Sequence, residues 1–149
     1  MLTYLDASVI ASLLFDEPAS DRVIRAVRSF GTEVLVGDFA AAEVASAVSK
    51  RVRMRIDSET IANTRLSAFD AFRSELRAEA VLDPDDIRTA ERLVRAFELK
   101  LRAPDAIHAA VCLRHNYQLA TLDTNLAYAA RLLGVDCINP AEHVGEQKN

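Results

Sequence analysis

Five short apolar segments, separated by stretches with helical patterning, constrain this chain more than any other feature. They fall at 2–5, 34–36, 80–82, 118–122 and 135–138. None alternates apolar with polar residues over a strand's length, so neither face of the sheet they form is expected to meet water. Helices between successive strands bring each strand back parallel to the last and cover both faces. The fold class expected is therefore α/β, with a parallel sheet of about five strands between two helical layers. In such sheets the site lies just beyond the carboxyl ends of the strands, near a reversal in strand order.

The intervening stretches carry helix signals. After the strand at 2–5, residues 7–15 read as a helix that Asp16-Glu17-Pro18 breaks. Ser20 or Asp21 can cap the next, with Val23, Ile24, Val27 and Phe30 at helical spacing and Gly31 as its stop. Asp38 can cap a helix reaching about Arg53, and Ser58 can start another through Ile61, Leu66, Phe69, Phe72 and Leu76. Asp83-Pro84-Asp85-Asp86 is a helix start with a cap, a proline in the first turn and acids at the positive end of the dipole. Pro104 opens a helix to His115, with Asn116 suited to a left-handed end, and 126–133 is the last helix before Gly134.

At 149 residues the chain suits one domain, 1–149, because two would each bury too little core. No repeat or linker divides it. The formal net charge of −4 excludes a general basic coat for nucleic acid, though not a local patch. Cys112 and Cys137 read as small buried hydrophobes in a reducing compartment. The apolar stretch 7–15 is far short of the roughly 20 residues that span a bilayer. No Lys or Arg precedes it, as a signal peptide would require. A cytoplasmic protein with no membrane attachment is expected.

Four acids stand out by position. Asp6 and Asp123 each follow an apolar strand directly, so both face the carboxyl edge of the sheet. One such Asp is often only a helix cap; two at equivalent places suggest a site. Glu43 lies in the nearly all-apolar run 39–45. It stands either at that helix's one solvated edge or against a partner, since a buried lone carboxylate is costly. Asp105 sits in the first turn of its helix, where it offsets the dipole or presents a carboxylate to the same crevice. Four carboxylates converging in a cleft would repel one another, and a hard divalent cation such as Mg²⁺ or Mn²⁺ relieves that repulsion through oxygen ligands. Without these four, 18 acids remain against 18 basic residues.

Other residues admit two readings. Lys50, Arg51, Arg53 and Arg55 form either a solvated helix end favoured by the dipole or a contact for a nucleic-acid backbone, and Arg102 is a further candidate for that contact. His108, three residues after Asp105, shares its helix face and reads as a core histidine or one that supports the site from behind. Phe69 and Phe72 read as core or partner contacts rather than stacking platforms for bases. Cys112 has no pattern of a nucleophile around it.

Tyr4-Leu5-Asp6-Ala7-Ser8, Ala42-Glu43-Val44, Pro104-Asp105-Ala106-Ile107-His108-Ala109-Ala110, Ala120-Thr121-Leu122-Asp123 and Leu133-Gly134-Val135 together resemble the PIN-domain ribonucleases. Within that family the chain is most similar to the VapC-type toxins of toxin–antitoxin pairs. The resemblance covers nearly the whole chain; each motif alone is weak, and the ordered set is specific. It implies a three-layer α/β/α sandwich with strand order 3-2-1-4-5. By the resemblance, Asp6, Glu43, Asp105 and Asp123 would form a catalytic metal site for Mg²⁺, with Mn²⁺ as a substitute. Ser8 and Thr121 would support that site, and Asn125 would touch water at it. The implied activity is endoribonuclease cleavage by metal-activated water, leaving 5′-phosphate and 3′-hydroxyl ends. The implied partners are an RNA substrate, a small VapB-like antitoxin and a second copy in a homodimer, with the helix spanning 61–76 as a contact surface. The segment 50–82 matches no family motif.

Other chemistries lack their residues. A dehalogenase-type phosphatase would need a second Asp where Ser8 stands. A receiver domain needs a Lys after a late strand, and phosphate-binding loops need glycine clusters where this chain has four isolated glycines. The remaining alternative is a PIN-fold RNA- or protein-binding module that no longer cuts.

Overall fold

The computed structural model describes residues 1–31 and 33–142. Strands β1 (Thr3–Leu5), β2 (Val34–Gly37), β3 (Glu79–Ala80), β4 (Gln118–Ala120) and β5 (Cys137–Ile138) form one all-parallel sheet in the order β3-β2-β1-β4-β5. Among the described residues the helices are α1 (Ala7–Leu14), α2 (Ser20–Ser29), α3 (Asp38–Arg53), α4 (Glu59–Ser74), α5 (Pro84–Arg95), α6 (Ala103–His115) and α7 (Thr124–Leu132). A 3₁₀ turn at Phe97–Leu99 joins α5 to the α6 approach, and nothing in the pattern predicted it. None of these helices is long and apolar enough to cross a membrane.

The two-residue period of the strands divides the core between the faces. Tyr4, Leu35 and Leu119 point to one face, against Ala106, Ala109 and Ala110 of α6 and Leu126, Ala129 and Ala130 of α7. Leu5, Val34, Val36 and Ala120 point to the other, against Val9, Ile10, Val23, Val44 and Phe69 from the first four helices. Each fully buried large aliphatic side chain contributes about 1.5–3 kcal/mol, so both faces of the sheet are paid for by apolar packing. The alanines of α6 and α7 let those helices lie close to the strands.

Helix ends follow their signals with two exceptions. Ser58 caps α4 through the Ile61 N–H, and Asp83 and Asp86 form a reciprocal capping box on α5. Asn116 ends α6 at φ 55°. Ser20, by contrast, does not cap α2. It is that helix's first residue, and its hydroxyl ties the Ser12 and Phe15 carbonyls at the end of α1. Asp38 likewise is the first residue of α3, with Gly37 at the cap. Its carboxylate accepts from the Phe39 and Leu82 N–H groups. That second bond draws the chain off the sheet edge, which is why β3 ends at Ala80 and Val81 is exposed. Asp86, fully buried, receives a two-pronged bond from Arg114 and fastens α5 to α6.

Candidate active site

The chain leaves β1 to build β2 and β3 on one side, then returns to build β4 and β5 on the other. The reversal falls between β1 and β4, where a parallel sheet opens a crevice at its carboxyl edge. Leu5 is in register with Ala120, so Asp6 and Thr121 emerge side by side about 4.8 Å apart.

Asp6 is 4 % exposed and caps α1. Its Oδ1 accepts from the Val9 N–H at 3.1 Å and from the Ser8 hydroxyl at 2.5 Å. Its Oδ2 accepts from the Thr121 hydroxyl. Burial is the dominant influence and holds this carboxyl above the usual range; the Ser8 and Thr121 hydrogen bonds, the nearby His108 and the Val9 N–H pull against it. The same two hydroxyls reach further. Ser8 Oγ accepts from the Leu122 N–H at 2.9 Å, and Thr121 Oγ1 accepts from the Asp123 N–H at 3.0 Å. The ends of β1 and β4 are thus laced together through Asp6, and Asp123 is held one hydroxyl away from it.

Asp123 caps α7, its Oδ1 accepting from the Leu126 N–H at 2.9 Å. Asp105 stands in the first turn of α6, half-buried. Burial raises its carboxyl above the usual range first, and the Asp123 charge raises it further; Arg102 and His108 lower it and Asp6 adds a small raising effect. Asp105 therefore feels both other aspartates, which places three carboxylates in one electrostatic neighbourhood. Arg102 Nε lies 3.6 Å from Asp105 Oδ2, and its side chain is 83 % exposed at the rim.

Glu43, on α3, is tied to α6. One of its oxygens accepts from His108 Nε2, and His108 Nδ1 lies 2.8 Å from the Tyr4 hydroxyl. His108 is one turn along from Asp105, so both flank the same crevice. Glu43 is thus paired with a partner while its side chain stays 31 % exposed at the helix edge.

As these side chains are placed, no group of three or more His, Cys, Asp or Glu among the described residues encloses a metal. The donor chemistry nevertheless suits a small hard cation. Every candidate donor at the aspartate cluster is an oxygen, and Asp6 and Asp105 are both held above the usual range, in each case first by burial. Mg²⁺ needs only one or two carboxylates, because it keeps several waters.

Ser8 and Thr121 sit where the sequence suggests, supporting Asp6. Asn125 does not face the aspartates through a hydrogen bond. Its Nδ2 donates to the Lys100 carbonyl at 2.9 Å and secures the left-handed turn (φ 52°) that leads into α6. Lys50, Arg51 and Arg53 lie about 10–15 Å along α3 from Glu43. Arg51 is engaged by Asp57 and lies 4.8 Å over the Phe15 ring, and Arg53 donates to Ser49. The Tyr4 hydroxyl's contact with His108 has no signal in the spacing of the chain, although Tyr4 lies in the motif that ends at Ser8. The only trace of the His108–Glu43 pair was the spacing of His108 from Asp105.

No curated protein sequence matches the chain significantly. Several solved structures share its fold. FitAcB from Neisseria gonorrhoeae aligns with TM-score 0.73 at 21 % identity, covering 93 % of this chain and 98 % of that one. VapBC2 from Rickettsia felis, bound to a DNA fragment from their promoter, aligns with TM-score 0.70 at 17 % identity, covering 93 % and 98 %. VapC20 from Mycobacterium tuberculosis, a sarcin–ricin loop cleaving toxin, aligns with TM-score 0.69 at 19 % identity, covering 85 % and 94 %. At these identities the likeness is one of fold. The sequence itself matches the PIN domain family model over residues 3–132, and the chain belongs to the PIN domain family.

Proposed function

We propose that this chain, acting as one domain over 1–149, is a metal-dependent endoribonuclease of the VapC type, the toxin of a toxin–antitoxin pair. The observation that carries this reading is the buried Asp6 carboxyl at the β1–β4 reversal, with Asp105 and Asp123 beside it and two of the three held above the usual carboxylate range. Asp6, Asp105, Asp123 and Glu43 would hold Mg²⁺, or Mn²⁺ in its place. Bound there, the cation supplies Lewis acidity toward an RNA phosphate and makes water more acidic at neutral pH.

The chain's own groups do the rest. Ser8, Thr121 and the Val9 N–H fix the Asp6 carboxylate in one orientation. Asp123 is held by the start of α7 and Asp105 by the first turn of α6, so each acid rides on a rigid element. Arg102, exposed at the rim, is placed to pair with a backbone phosphate. Water attacks phosphorus, the P–O3′ bond breaks, and the ends left are a 5′-phosphate and a 3′-hydroxyl. For the partner, an apolar groove between α1, α2 and α4, lined by Ile10, Leu13, Ile24, Phe69 and Phe72, suits an amphipathic helix of an antitoxin. The reading includes a homodimer and a cytoplasmic setting.

One observation favours a second reading, a catalytically silent binding module: as placed, no three His, Cys, Asp or Glu among the described residues stand together to enclose a metal. Mapping new 5′-phosphate ends in cellular RNA, with and without Mn²⁺, separates the two. The nuclease reading expects metal-dependent ends from the unmodified chain and none from Asp6→Asn. Equal RNA binding by both forms with no ends from either supports the module instead.

A further inference from the structure

We propose that Tyr4 and His108 are positioning residues that hold the Glu43 carboxylate toward the cleft through a buried Tyr4–His108–Glu43 relay in which His108 carries its proton on Nε2. The proposal rests on the metal-site reading above and says what sets the direction of one of its ligands.

The hydrogen-bond inventory assigns the tautomer. Glu43 offers only an acceptor to His108 Nε2, so Nε2 is the donor. In the neutral ring Nδ1 is then the acceptor, and the Tyr4 hydroxyl, 2.8 Å away, donates to it. The neutral ring in this form leaves none of the three groups unmatched. The other neutral tautomer would set the Nε2 lone pair against a carboxylate oxygen. Tyr4 is 0 % exposed and His108 2 %, so water cannot take the place of the bond between them.

The surroundings keep the ring from turning. It is flanked by Tyr4 and Phe39, with ring centroids 5.6 and 5.3 Å away. Tyr4 reaches His108 only because β2 ends in glycine. A Cβ on Gly37 would fall 2.8 Å from the Tyr4 hydroxyl oxygen and 2.9 Å from Cε2. Gly37 has φ −81°, which any residue adopts, so room and not backbone freedom is what the glycine provides. The relay joins β1, α6 and α3, three elements that otherwise meet through apolar packing. It removes the freedom of a three-torsion side chain while engaging only one of Glu43's two oxygens. A histidine that orients a ligand in this way typically matters 10- to 100-fold in metal affinity.

The test is Mn²⁺ titration of the metal-free full chain by calorimetry, on the unmodified protein and on His108→Gln, His108→Asn and Tyr4→Phe. Gln places an amide N–H near the Nε2 position; Asn reaches only as far as Nδ1. The proposal expects His108→Gln to stay within about threefold of the unmodified affinity and His108→Asn to fall at least about tenfold. A merely structural histidine predicts equal effects from the two, and equal affinities would overturn the relay. Nitrogen-15 NMR of the metal-free ring gives a readout independent of folding variants: a single tautomer protonated at Nε2 supports the relay, and protonation at Nδ1 or a mixture overturns it. Failure of the metal reading looks different, since the unmodified chain would then take up no Mn²⁺ while the Nε2 tautomer stood.

Discussion

Gly37→Ala is the substitution whose outcome the packing fixes most narrowly. In an open extended site the change would stabilise the chain by about 0.4–1 kcal/mol, because alanine has less freedom to lose on folding. Here the new methyl meets Tyr4 at 2.8 and 2.9 Å, well inside ordinary contact. Tyr4 lies fully buried in the central strand, so its ring has nowhere to withdraw. Overpacking of this kind costs about 1–3 kcal/mol. Displacing the hydroxyl from His108 adds about 1–3 kcal/mol for the polar groups left unmatched. The net expectation is a loss of about 1–6 kcal/mol, centred near about 3 kcal/mol. At about 2–4 °C per kcal/mol for a chain this long, the central value lowers the melting temperature by about 9 °C. Urea unfolding followed by circular dichroism measures it, with an unchanged denaturant slope showing that only stability moved. Tyr4→Phe removes the nearest atom, so the double variant should be less destabilised than the two single losses combined, by about 0.5–3 kcal/mol. A Gly37→Ala chain more stable than the unmodified one would refute the close approach.

Three further outcomes follow from the same geometry. Because burial and then the Asp123 charge hold Asp105 above the usual range, the folded chain keeps that proton to higher pH than the unfolded chain. Metal-free stability therefore falls as pH rises from the ordinary carboxylate value to the raised one, and Asp105→Asn should lessen the fall, Asp6 keeping its own share, and be the more stable form at pH 7 in urea titrations; parallel curves would count against it. Arg114→Met strands the buried Asp86 carboxylate and should cost about 3 kcal/mol, the lower end for a buried pair because Arg114 is 33 % exposed; a loss under about 1 kcal/mol in the same urea assay would show the pair to be incidental. Phe72→Asp in the groove between α1, α2 and α4 should abolish co-purification of the cognate antitoxin while leaving RNA cleavage intact, and an intact complex would move the partner to another surface.

The parts of this fold written locally were legible in the chain. Short apolar strands between helices announced the parallel sheet, and Asp6 and Asp123 directly after their strands announced its carboxyl edge. Ser58, Asp83 and Asn116 marked helix ends because their signals act within one turn. What escaped depends on distant partners. Ser20 binds carbonyls of the preceding helix, and Asp38 binds the Leu82 N–H, 44 residues away, which shortens β3. Arg51 looked free until Asp57 folded back on it. The Tyr4–His108–Glu43 contact joins residues 104 and 65 positions apart, and no spacing rule spans β1, α3 and α6. The bond from Asn125 to the Lys100 carbonyl was likewise unreadable, because Lys100 stands in a left-handed turn with no periodic signal.

The central claim is that Asp6, Glu43, Asp105 and Asp123 act as one metal-dependent site. Cleavage rates of one mapped RNA, at saturating Mn²⁺, test it for the four single carboxamide variants and for Asp6→Asn combined with Asp105→Asn. Groups that work as a unit give losses that do not add. A shared site gives a large loss from each single change and a double variant no slower than the worse single one. Undiminished cleavage by the singles, or losses that simply multiply in the double, would contradict it.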